Sequence, residues 1–357
     1  MRRVILMVLF AVLLTVDARA AEIPGELQDA LPSGAEDILE IGGLSAGPAG
    51  LTGGLGRILE EMHGSFGTIL RQRVRGAASV LLVVALCGAV GSFYQGEKAA
   101  LFLPMAGALS VTVLTAGSLD SLIGLGAETI GELNLFSKAL LPTLAAATAA
   151  SGAVTTATFQ QVCTVFFVDL LLNLIHGLLL PLVYLYIGAL TAASCMPENR
   201  LSAIAEGLKK VITWLLTSAL LLFTLYLSVV RVVSGAADAA TLKVTKAAIS
   251  GAVPVVGGII AEASETVLAG AGMLKNTIGI FGMLAILAAC AYPFLQLGIQ
   301  YLLYKLTAFL AGALGAPELC KLIDGLGGAF GLVLGMTGSC ALLLLVSVLS
   351  SVAAVAP

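Results

Sequence analysis

The stretch AAISGAVPVVGGIIAEASETVLAGAGMLKN, residues 247–276, decides how this chain is read. It is apolar enough for a bilayer, yet it holds Pro254, the pair Gly257-Gly258, Glu262, Glu265 and Lys275. Pro254 removes a backbone donor, and the two glycines weaken the helix beside it. Backbone groups freed in this way cannot face lipid without a cost of several kcal/mol each. The segment is therefore expected to be buried in protein or to line an aqueous cavity. Glu262 and Glu265 are three apart and share a helical face. Two readings of them stay open. They line an ion or solute path together with Lys275, because ionisable groups inside a membrane are costly; or they sit at the interface, facing water or paired with a lysine.

The rest of the chain has the same apolar character. Of its 357 residues 59% are hydrophobic and 11% are charged, against about 25% charge in soluble domains. Mean hydropathy is +1.05. This composition predicts an all-α, polytopic integral membrane protein with the lipid bilayer as its surroundings. A net charge of -3 gives no basis for nucleic-acid binding. The six cysteines (Cys87, Cys163, Cys195, Cys290, Cys320 and Cys340) are scattered, with no CxxC and no zinc spacing. They read as buried free thiols. The single tryptophan, Trp214, reads as packing or as an interfacial anchor. With two histidines and no triad, metal cluster or phosphate loop, the chain shows no enzyme chemistry and implies no cofactor.

Residues 1–20 combine Arg2 and Arg3, an apolar run from Val4 to Val16 and the small-x-small triplet Ala18-Arg19-Ala20. That pattern predicts a signal peptide cleaved after Ala20. Residues 21–75 read as a loose, partly amphipathic extracytoplasmic segment. Its end carries Arg71, Arg73 and Arg75, which argue for the cytoplasmic side by the positive-inside rule, against the signal peptide.

A first membrane half covers 76–193, a polar loop 194–210, and a second membrane half 211–357. Clear spans are 76–93, 99–117, 211–233 and about 328–355. Residues 118–137 read as an amphipathic helix, on the membrane surface or within the assembly. Residues 138–160, opened by Pro142, are rich in Ala, Thr, Ser and Gly, which let helix backbones approach closely. Residues 162–193 and 277–314 are long apolar runs broken by Pro181 and Pro293. The total is about six to eight transmembrane helices, some broken by Pro or Gly. Asp169 and His176 share one face, as an interhelical contact, a helix-end position or a proton relay. Gln296, Gln300 and Lys305 form a polar stripe, expected as a seam between helices or subunits.

Pro142 and Pro181 are 39 apart, as are Pro254 and Pro293, with 112 between the pairs. This spacing suggests an internal two-fold repeat of the kind found in transporters. The two small-residue, proline-started segments are then expected to meet near the centre of the subunit. Pro142, Pro254, Gly257, Gly258, Glu262, Glu265 and Lys275 are the candidate path or seam lining.

LLPTLAAATAASGAVTTATF (140–159), KAAISGAVPVVGGIIAEASETVLAGAGMLKNTIGIFGM (246–283) and YPFLQLGIQYLLYKLTAFL (292–310) resemble the core segments of the stage III sporulation protein AE family. The resemblance covers roughly residues 60 to 355. It implies a multi-pass subunit in the mother-cell membrane around the forespore of an endospore-forming bacterium. It further implies partners: the other stage III A sporulation proteins, and through that channel or secretion-like complex the forespore stage II protein Q. A homo-oligomer is also expected. No site residues are carried over from the family. A stand-alone secondary transporter with repeated broken helices is the alternative.

Overall fold

A computed structural model describes residues 24–33, 35, 48–93, 97–195, 200–252 and 257–353. The side chains at 48–49, 97–101, 200 and 231–266 lie outside the description, as do the signal-peptide reading and Pro254.

The long apolar runs fold as long helices, because inside a bilayer each backbone polar group must be satisfied within its own segment. A short helix, α1 (Gly25–Asp29), precedes α2 (Pro48–Phe93) and α3 (Glu97–Ala150). Next come α4 (Val154–Leu174), a π turn (Ile175–Leu179) and α5 (Leu180–Cys195). The chain then forms α6 (Arg200–Ala252), α7 (Gly257–Ala313) and α8 (Pro317–Ala353). The described residues contain no strand. Six segments are long and apolar enough to cross a membrane: Gly50–Phe93, Phe102–Ala150, Val154–Cys195, Leu201–Val230, Val267–Ala313 and Pro317–Ala353. The chain is thus an all-α, multi-pass membrane protein.

Several local expectations are refined. The amphipathic stretch 118–137 does not lie apart from the bundle but continues α3, with Leu122, Ile123, Ile130, Leu133 and Phe136 buried. The polar stretch 194–210 is helical from Arg200 onward. Pro142 and Pro293 lie inside uninterrupted helices, whereas Pro181 is the second residue after the π turn. Within the N-terminal segment, Leu27 and Ala35 are fully buried, so that part of it is packed.

Two turns close by the same device. Gly152 has φ 94° and Gly315 φ 79°, a region glycine enters without Cβ strain. After α3, the Ala153 amide donates to the Thr148 carbonyl and the Gly152 amide to Ala149. After α7, the Ala316 amide donates to Ala311 and the Gly315 amide to Gly312. Both are Schellman motifs, which satisfy the last carbonyls of a helix. The first turn divides the small-residue segment 138–160, so that α3 and α4 form a hairpin.

The α7–α8 hairpin holds the centre of the bundle, with Ala285, Ile286, Leu322, Ala329, Phe330 and Met336 buried. Small residues bring the helices together. A Cβ on Gly282 would lie 2.8 Å from Leu140 Cδ1, and one on Gly325 would lie 2.6 Å from Leu190 Cδ1. The first of these contacts joins α3 to α7. Leu82, Leu86 and Val90 on α2, and Leu221, Leu222, Leu225 and Val229 on α6, are exposed. Rows of outward apolar side chains of this kind suit a lipid boundary.

Candidate functional site

Polar side chains form three seams between helices inside the bundle. The first lies along α7. Arg73 of α2 donates from Nη2 to Gln296 Oε1 at 2.5 Å. Gln300, one turn further along, is buried with Oε1 unpartnered among the described residues, as is the Nε of Arg73. Lys305 follows, with Nζ 2.5 Å from Asp324 Oδ1 of α8 and 5.7 Å above the centre of the Tyr301 ring. The stripe 296–300–305 therefore faces other helices of the same subunit. One of the three arginines near residue 73 is turned into the protein, which removes it from the set of free interfacial charges.

The second seam joins α4 to α8. Gln160 donates from Nε2 to Ser350 Oγ at 2.7 Å and accepts at Oε1 from Ser351 Oγ at 2.8 Å. Thr164 and Ser347 share a hydroxyl bond of 2.5 Å. All five residues are buried. The third seam runs from α3 and α5 into the central hairpin. Thr115 and Tyr304 are hydrogen-bonded at 3.0 Å, and Tyr186 donates its hydroxyl to the Gly325 carbonyl at 3.0 Å. Such bonds are worth on average about 0.6 kcal/mol each in a membrane bundle. Together they set which helix faces meet.

The predicted lining residues are dispersed. Pro142 is on an exposed face of α3. Gly257 and Gly258 open α7, and Glu262 and Glu265 are on its first turns, with side chains outside the description. Lys275 is buried further along the same helix, 4% exposed. Asp169 and His176 are both exposed, on the outer face of the third span.

The α4–α8 seam was not singled out from sequence. Its signal was present: Gln160 stands beside an apolar run, and Ser347, Ser350 and Ser351 lie three and four apart, on one helical face. Near the C-terminal end of α5, the start of α6 and the α7–α8 turn a cleft of about 370 Å³ opens, lined by Tyr186, Ser202, Glu206, Lys209, Lys321 and Asp324. Charges of both signs meet there at the end of the bundle. The six cysteines are free, with Cys163, Cys290 and Cys340 buried.

The arrangement is that of a packed membrane bundle with polar helix contacts. A family model described as stage III sporulation protein AE matches residues 67–355. The stage III sporulation protein AE of Bacillus subtilis (strain 168) is 28% identical over 213 residues. That match covers 59% of this chain and 53% of the relative, so it spans about half of the relative's length. No solved structure matches. With most of its length matched by the family model, all six membrane spans included at least in part, this chain belongs to the stage III sporulation protein AE family.

Proposed function

We propose that the protein is a multi-pass membrane subunit of the channel or secretion-like complex between mother cell and forespore. It sits in the mother-cell membrane around the forespore. It assembles there with the other stage III A sporulation proteins and with further copies of itself, and meets the forespore stage II protein Q through the complex. It conducts or scaffolds and does not catalyse. The observation that carries this reading is the family match over a bundle of six apolar spans.

The test is deletion of the gene in its native spore-former, followed by forespore size and late forespore reporter expression. Small forespores without late expression are expected. Normal spores would overturn the reading.

A stand-alone secondary transporter is the second reading, favoured by the mixed-charge cleft beside Glu206, Lys209 and Asp324. It predicts solute uptake by vesicles containing this chain alone. The channel-subunit reading predicts none without the other components.

A further inference from the structure

The third span carries a polar stripe that the bundle does not cover. Asp169, Asn173 and His176 stand at i, i+4 and i+7, and all three are exposed. The π turn at Ile175–Leu179 begins within this stripe, and a Cβ on Gly177 would meet nothing within 4 Å. π turns inside helices are frequent at functional positions.

Hydrogen bonds fix the height of this stripe. Thr164 bonds Ser347, and Tyr186 bonds the Gly325 carbonyl, so the third span and α8 run antiparallel. Asp169, five residues past Thr164, stands level with Leu342, five before Ser347. The Cys163 thiol bonds the Tyr226 hydroxyl at 2.8 Å. That contact puts Asp169 level with Leu220 of α6. At this height α8 exposes Leu342, and α6 exposes Leu221, Leu222 and Leu225. The third span also exposes Phe166, Leu170 and Leu178 at this height, so its outer surface is mixed where that of α6 and α8 is apolar.

The neighbouring helix α3 continues the polar side. The Tyr184 hydroxyl lies 3.5 Å from Asp120 Oδ1, which sets the antiparallel register of α3 against this span. Glu128, eight residues from Asp120, stands level with His176 and is exposed. Glu132 accepts from Ser33 Oγ of the N-terminal segment at 2.7 Å. That segment packs its buried Leu27 while Glu26 and Asp29 stay exposed. A segment with exposed carboxylates thus lies against α3 at Glu132, so that edge of α3 does not meet lipid. A charged side chain facing hydrocarbon at mid-helix costs about 2.5–3.5 kcal/mol even on the mildest scale.

The geometry points to a water-filled wall: the face formed by Asp169, Asn173 and His176, continued by Glu128 on α3, lines an aqueous path that admits polar or charged solutes. This rests on the channel-subunit reading and names the face of the subunit that meets water.

Single cysteines test it in membranes of sporulating cells, with the protein in its native complex. Asp169→Cys, Asn173→Cys and His176→Cys are compared with Leu222→Cys and Leu342→Cys, which sit at the same height on the apolar side. The chain without an added cysteine supplies the background. Each unit by which an apolar surrounding raises a thiol pKa lowers its thiolate about tenfold. A charged, membrane-impermeant thiol reagent should therefore label the three stripe positions at least tenfold faster than the two leucine positions. Equal slow labelling at all five would mean that protein covers the stripe, and would overturn the proposal. Equal fast labelling at all five would place this height outside the bilayer, and would overturn it too. Asn173→Cys removes no charge and serves if Asp169→Cys fails to accumulate. Labelling is independent of spore yield: a deletion strain with normal spores would sink the channel reading and leave the labelling result standing.

Discussion

Arg73 of α2 and Gln296 of α7 are 223 residues apart in sequence and 2.5 Å apart in the bundle. The contact ties the first span to the central helix at a height where Gln300 is also buried. It accounts for a polar stripe in an apolar helix without requiring a solute.

Arg73→Met should destabilise the purified protein by about 1–3 kcal/mol, because it leaves the Gln296 carbonyl without its donor in a buried setting. Arg73→Met with Gln296→Met should recover part of that loss, since both partners are then apolar. Melting temperature in detergent reads both variants. Strictly additive losses would show that the two residues are not coupled.

Gln160 serves two serines at once. Gln160→Leu should cost about 1 kcal/mol, from two interhelical bonds of about 0.6 kcal/mol each. Adding Ser350→Ala to it should cost almost nothing further. A double-mutant cycle on the same melting assay checks this, and an undiminished effect of Ser350→Ala would refute the seam.

The close approach of α3 and α7 depends on Gly282. Gly282→Leu should cost about 1–3 kcal/mol by overpacking against Leu140. Gly117→Ala, where an added Cβ meets nothing within 4 Å, should be neutral or stabilising by up to about 1 kcal/mol. Equal behaviour of the two variants would contradict the packing described.

Gly315 isolates the effect of backbone strain, because open space surrounds its Cβ position while its φ is 79°. Gly315→Ala should cost about 1–2 kcal/mol, and Gly315→Asn less, because asparagine tolerates the left-handed region. The order Gly, Asn, Ala in melting temperature is the expected result, and Ala at or above Gly would contradict the turn.

What the sequence alone determined is the class of the molecule. Hydropathy is a local sum, so composition and the apolar runs are enough to specify an all-α membrane protein with at least six spans, and the three quoted core segments led to its family. The position of the polar stripe 296–300–305 was legible too, because glutamine and lysine stand out in an apolar helix. The tertiary structure alone decided which faces are inside. A buried helix face and a lipid-facing one are equally apolar, so periodicity carries almost no orienting signal in a bilayer. Hence Asp169 and His176 read from sequence as an interhelical contact, a helix-end position or a proton relay, and only packing turned them outward. The serines at 347, 350 and 351 acquired meaning only when Gln160 and Thr164, more than 180 residues earlier, were brought against them. The break at Gly152 was hidden in a run of small residues, where a turn and a close helix contact use the same amino acids, and the left-handed backbone of one glycine distinguished them.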